Sequence, residues 1–144
     1  MSEVKGRLEA TLVPESERSD FLPSMFGVMM VEMEARVFNT MSQCCPDYQG
    51  GYWHFYTLPK DSGFMVLQTD KDRLHLTGPL NYYDGEMSPT AASLAVCAMA
   101  YNHAVWAHAE RHPNFARGLQ EKWEVLMQYI YQHDEAGEIA RFLD

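Results

Sequence analysis

Two histidines lie four residues apart in His108-Ala109-Glu110-Arg111-His112, a spacing that lets one helix face present two metal ligands. In the zinc-protease arrangement the glutamate directly follows the first histidine and reaches the metal-bound water. Here Glu110 follows His108 by two residues, about 200° round a 3.6-residue helix. The acid points away from the pair, so a structural or surface role is expected for both histidines. His54 and His75 fall in strand-like segments and are expected to meet across strands as a polar pair. Neither has a carboxylate or cysteine beside it in sequence. Cys44-Cys45 lacks the two-residue spacer of zinc and redox pairs, and Cys97 sits in an alanine-rich stretch; all three are expected to be inert thiols. Asp84 and Glu86 are spaced to act as paired carboxylates. No base, metal or nucleophile is legible near them, and a solvated loop is the plainer reading. There is no Gly-x-Ser-x-Gly elbow and no phosphate-cradling glycine loop before a helix. The expectation is no catalytic residue, no metal and no cofactor.

The elements that position these groups are readable from periodicity. Gly50-Gly51 precedes Tyr52-Trp53-His54-Phe55-Tyr56, four aromatic residues in five positions, which suits a half-buried strand. Pro59-Lys60-Asp61-Ser62-Gly63 reads as a turn, 64–68 as a second strand, 69–72 as a second turn and 73–77 as a third strand. The result predicted is a three-stranded antiparallel meander. Trp53, Phe55, Leu74 and Leu76 are expected to share one face with Phe64 and Val66. Tyr52, His54, Tyr56, Arg73, His75 and Thr77 are expected on the other with Met65 and Leu67. Such a sheet needs helices on at least one face.

Three main helices are predicted. The first follows Pro23 with Ser24 as N-cap, carries the stripe Phe26, Met30, Met33, Val37 and Met41, and stops before Pro46. That methionine-rich stripe is expected to pack on the sheet. The second opens at Ser88-Pro89, where serine caps and proline takes the first helical position, and runs to about His112. Positions 89–107 carry no charged residue. Their length matches a membrane span, but the alanine content with Ser93, Asn102 and His103 indicates a central buried helix. The third begins near Asn114 with the stripe Phe115, Leu119, Trp123, Leu126 and Ile130. Gly137 is expected to break it, leaving a docked turn with Ile139, Phe142 and Leu143. Residues 1–20 read as an extended arm and loop, with a short strand near 10–13.

The whole predicts one α+β domain over residues 1–144. A chain of 144 residues with 47% hydrophobic content can bury a core without staples. No signal-peptide pattern follows the start, and three cysteines make a poor disulfide framework, so a reducing cytoplasm is expected. A net charge of −9 disfavours binding to the phosphate backbone. It suits a basic protein partner or mimicry of DNA. Twenty acids scattered among eleven basic residues are too dilute for a mimic, which needs rows of carboxylates with few cations.

Several segments together resemble the ArdB/KlcA family of antirestriction proteins. They are Val13-Pro14, Phe21-Leu22-Pro23 leading to Phe26-Gly27, residues 34–41, and Tyr48-Gln49-Gly50-Gly51-Tyr52-Trp53-His54-Phe55-Tyr56. Gly63-Phe64-Met65, Gly85-Glu86-Met87-Ser88, Ala91-Ala92, Asn102-His103, Trp106 and residues 134–144 continue the pattern. The Gly-Gly-Tyr-Trp-x-Phe-Tyr block is the most specific part. Lys60-Asp61-Ser62 departs from the Asn-Gly usual in the family and leaves the hairpin type open. The resemblance implies an accessory protein of mobile elements that relieves type I restriction of incoming DNA and largely spares methylation. It supplies no established catalytic residues or metal site to carry over. The expected partner is a type I restriction–modification enzyme or an associated host protein, met by a monomer, with no strong DNA binding and no membrane. An acidic DNA mimic and a small metal-dependent hydrolase using His108 and His112 are the alternatives. Candidate partner contacts are Tyr82, Tyr83, Asp84 and Glu86, in a tyrosine-bearing loop braced by the capped helix at Ser88.

Overall fold

The computed structural model describes residues 7–144. The fold is α+β. Its strands are β1 (Thr11–Leu12), β2 (Trp53–Leu58), β3 (Ser62–Leu67), β4 (Leu74–Thr77) and β5 (Asp84–Met87). Its helices are α1 (Arg18–Phe26), α2 (Met30–Cys44), α3 (Pro89–His108), α4 (Pro113–Tyr131) and α5 (Ala136–Leu143). Residues 1–6 of the expected N-terminal arm lie outside the described residues.

The expected meander is corrected. β2 and β3 form the antiparallel hairpin, but the third strand of that sheet is β1, paired to β2 through Thr11↔Thr57 and Leu12↔Tyr56. β4 leaves the sheet and pairs with β5 in a separate two-stranded sheet, within the stretch expected to be a loop. The reason lies at the free edge of β3, where α3 has taken the place of a strand. Ser93 Oγ accepts from Leu67 N–H at 2.9 Å, Cys97 Sγ lies 3.5 Å from both Met65 N and Met65 O, and Tyr101 donates to Gly63 O at 2.9 Å. Four helical residues rise about 6 Å and two strand residues about 6.6 Å, so the two ladders stay in register running antiparallel. Leu67 N–H, Met65 N–H and C=O, and Gly63 C=O on this edge thereby have partners without a strand.

The faces of the hairpin also differ from expectation. Trp53 and Phe55 oppose Leu67 and Met65, whereas His54 and Tyr56 oppose Val66 and Phe64. A one-residue change of register exchanges faces, and here the turn sets it. Ser62 N–H reaches Pro59 O at 3.4 Å across Lys60 and Asp61, whose φ values are 60° and 62°. Positive φ at both central residues makes this a type I′ turn, which matches strand twist. The Trp53–Phe55 face is covered by Phe38 of α2, stacked on Trp53 at 5.3 Å, and Phe21 of α1, stacked on Phe55 at 4.6 Å. On the other face Phe64 stacks with Tyr129 of α4 at 5.3 Å. His54 bonds to Gln68 and His75 to Asp84; the two histidines sit in different sheets and do not meet.

The helices are mostly where periodicity put them, with altered ends. Instead of one helix capped by Ser24, α1 starts at Arg18 and contains Pro23, and Gly27 at φ 57° breaks it before α2. Pro46 follows the end of α2 as expected. Ser88 caps α3 by accepting from Ala91 N–H at 3.1 Å. That helix is central, buried and in contact with α2, α4, α5 and β3, and ends at His108. Pro113 does not merely end it but opens α4. The break after α4 falls at 132–135, and Gly137 lies inside α5. Among the described residues, no helix is long and apolar enough to cross a membrane.

Two outcomes follow from these contacts. Tyr101→Phe leaves the buried Gly63 carbonyl without its donor and lowers stability by about 1–3 kcal/mol, measured by urea unfolding. Lys60→Asn with Asp61→Gly removes left-handed strain and raises stability by about 1 kcal/mol or more, measured as a higher urea midpoint at unchanged slope.

Candidate partner-contact surface

Tyr82 is fully exposed, at 100% of its surface, and holds a φ of 62°. A bulky residue in the left-handed region is strained, so the surrounding contacts must impose the conformation. They do so from both sides. Gly78 N–H donates to Tyr83 O at 2.7 Å, closing the loop between β4 and β5. Asn81 accepts from Tyr83 N–H at 3.2 Å and donates to the carbonyls of Phe142 and Asp144 at 2.9 and 3.2 Å. The chain's last residues are thus the anchor of the loop. Leu80, two positions earlier in the same loop, is 85% exposed and gives the loop a second outward apolar side chain.

Of the four expected contacts, the structure brings three to the surface: Tyr82, Asp84 and Glu86 are exposed. Tyr83 is different. It is 6% exposed, edge-on to Phe142 at 5.5 Å, and its hydroxyl donates to Glu138 Oε2. Gly85 is required here, because a Cβ on it would lie 2.5 Å from that hydroxyl and 2.8 Å from Glu138 Oε2. Tyr83 is therefore a core anchor under the loop. Leu80 was missed. Its signal was an apolar residue inside a turn-forming Gly-Pro-x-Asn run, where nothing nearby could bury it.

Carboxylates brace the base of the loop. Glu135 accepts from Ser88 N–H at 3.0 Å and from the Ser88 hydroxyl, and lies 3.5 Å from Arg73. Arg73 also donates to Glu86 O at 3.0 Å. His75 meets Asp84 at 2.6 Å, and that bond raises the imidazole above its ordinary pKa. The Tyr83 hydroxyl holds Glu138 below the usual carboxylate range, with Arg141 adding to the effect. Burial alone raises Glu135, but the bonds from Ser88 and the Arg73 charge outweigh it and leave the carboxyl low.

The histidine pair has a definite geometry. His108 is buried between α2 and α4; its Nε2 lies 2.6 Å from Glu32 Oε2, and Arg36 Nε donates to that same oxygen at 2.8 Å. His108 Nδ1 faces His112 Nδ1 at 2.9 Å. The His108 bond lowers Glu32 below its ordinary value. Among the described residues, no group of three or more histidines, cysteines and acids is placed to hold a metal. The cysteines are free and buried; burial pushes Cys44 up to about 11 and Cys97 up to about 12, so neither is a ready nucleophile.

Residues 46–144 match the antirestriction protein family. The chain is 34% identical over 145 residues to the antirestriction protein KlcA of Escherichia coli, covering 99% of this chain and 97% of that one. It is 38% identical over 140 residues to the uncharacterised YafX protein of Escherichia coli K12, covering 95% and 88%. It superposes with a TM-score of 0.86, at 32% identity and 95% coverage of both chains, on a solved structure from work on KlcA and ArdB. That work describes a novel fold and antirestriction activity against type I DNA restriction systems in vivo but not in vitro. Fold and sequence together define an antirestriction protein. This chain belongs to the antirestriction protein family.

The carboxylates predict the acid response. Glu32, Glu135 and Glu138 are all depressed in the folded state, so their stabilisation is present above the unfolded value of about 4.3 and lost as pH falls through the lower folded values. The melting temperature is expected to drop most steeply below about pH 4.3, and Glu138→Gln to flatten that drop.

Proposed function

We propose that this protein relieves type I restriction of incoming DNA in the cytoplasm, and that it does so by contacting a protein rather than by catalysis. The observation that carries the reading is near-complete coverage of an antirestriction fold, with a TM-score of 0.86. Its relatives act in vivo but not in vitro, which favours a contact that depends on a cellular component or assembly state. The partner is a type I restriction–modification enzyme or a host protein associated with it, and the protein meets it as a monomer. The DNA-mimic alternative is disfavoured by how the acids are used. Glu32, Asp47, Asp84, Glu135 and Glu138 each face a basic side chain of the same molecule, so they do not form a free phosphate-like row.

The contact site proposed is the tip formed by Leu80 and Tyr82, with Asp84 and Glu86 beside it. A strained, clamped loop that exposes a leucine and a tyrosine is pre-organised, so little ordering entropy is lost on binding. Tyrosine is enriched among interface hot spots, and the exposed Glu86 carboxylate suits a basic patch.

Leu80→Ala with Tyr82→Ala tests this. Phage plating on cells carrying a type I system is expected to show relief reduced about tenfold or more, the effect of losing about 1.4 kcal/mol of binding, with an unchanged melt. Full relief from a normally expressed double variant removes the tip as the contact site. Tyr83→Ala, by contrast, is expected to lower the melt itself by opening a core cavity, about 3–5 kcal/mol on the scale of a buried aromatic.

A further inference from the structure

We propose that His108 and His112 form a chelating site for a late first-row divalent transition ion at the elbow between α3 and α4. The site departs from the sequence expectation because its geometry does not depend on Glu110. His108 Nε2 is engaged by Glu32 Oε2 at 2.6 Å, and Glu32 is itself held by Arg36 at 2.8 Å. A carboxylate on one imidazole nitrogen sets the tautomer, places the proton there and leaves the other nitrogen as a lone-pair donor. In this chain that other nitrogen is His108 Nδ1, and it is aimed at His112 Nδ1, 2.9 Å away.

The backbone holds the two rings in that relation. His112 N–H donates to His108 O at 2.8 Å, so the elbow keeps one helical turn although α3 has ended. Pro113 then starts α4 and limits how far the turn can relax. Phe115 meets the His108 ring edge-on at 5.2 Å and fixes its tilt. His108 is buried while His112 is exposed, so solvent reaches the pair from the His112 side.

The bite admits a single ion. Two nitrogens each about 2.1 Å from one ion are roughly 3.0 Å apart at a right angle and about 3.4 Å apart at the tetrahedral angle. The 2.9 Å separation of the metal-free pair is close to either bite, and the preference among ions follows the affinity order for nitrogen donors, in which copper(II) stands above nickel(II) and zinc(II). Neither Glu32 oxygen is needed as a ligand. The carboxylate acts on the far nitrogen of His108, the arrangement that orients and strengthens metal-bound histidines. With two protein ligands, the remaining positions belong to water.

The test uses the full chain purified without a histidine tag and titrated with nickel(II) and copper(II) chloride by calorimetry. The visible spectrum of the copper form provides a readout that heat alone does not. One ion per chain is expected, with copper binding more tightly than nickel. His112→Ala is expected to abolish the site; because it also removes the 2.9 Å hydrogen bond to the buried His108 Nδ1, the metal-free melt is expected to fall while the protein stays folded. Glu32→Gln is expected to weaken binding about tenfold or more by removing the charge behind His108. His54→Ala and His103→Ala, the background controls, are expected to bind as the parent does. A parent protein that titrates like His112→Ala overturns the proposal and leaves the pair as a hydrogen bond only. Binding that survives His112→Ala but is lost in His103→Ala overturns it equally.

Discussion

The structure depends on one arrangement: a helix that finishes a sheet. Ser93, Cys97 and Tyr101 present one polar atom per turn of α3, and they meet the free edge of β3 at Leu67, Met65 and Gly63. Buried backbone groups without partners are costly, and an open edge inside a core is ordinarily excluded for that reason. Here the edge is covered by side chains instead of a strand. That allows an almost uncharged helix to run through the middle of the protein, with α2, α4 and α5 packed round it. It also explains why polar residues sit within an alanine-rich segment. The alanines let neighbours approach, and the three polar groups answer the strand.

The same substitution directs the rest of the chain. Because α3 occupies the edge, β4 cannot extend the sheet and turns back on β5. The β4–β5 hairpin lies against the C-terminal segment, where Asn81 bonds the last carbonyls and Tyr83 reaches Glu138. The loop between these strands is consequently pinned at both ends while its tip stays outside. A rigid base and an exposed apolar tip are the physical properties expected of a recognition element. Family membership and this loop are independent observations, one about ancestry and one about surface.

The elbow between α3 and α4 illustrates how a motif is changed by folding. In sequence, His108 and His112 are a helix-face pair with a misplaced glutamate. In the fold, the acid that matters is Glu32, 76 positions away on α2. A long-range partner decided the chemistry of the pair, and no local spacing encodes it.

Local patterns suffice for the α+β class, the β2–β3 hairpin, the buried α3 with its Ser88 cap, the α4 stripe and the end of α2 before Pro46. These rest on local periodicity and on capping chemistry, which act over one or two turns. The sequence also carried enough of the family pattern for the antirestriction resemblance to be visible. Long-range packing settled which strand completes the sheet, which faces the hairpin residues take, and that Tyr83 is core. Those outcomes depend on which backbone edge is already occupied and on the sign of φ at Lys60 and Asp61. Two neighbouring tyrosines, Tyr82 and Tyr83, look alike in a sequence. A left-handed turn, an Asn81 clamp and a glutamate on α5 send one into solvent and the other into the core.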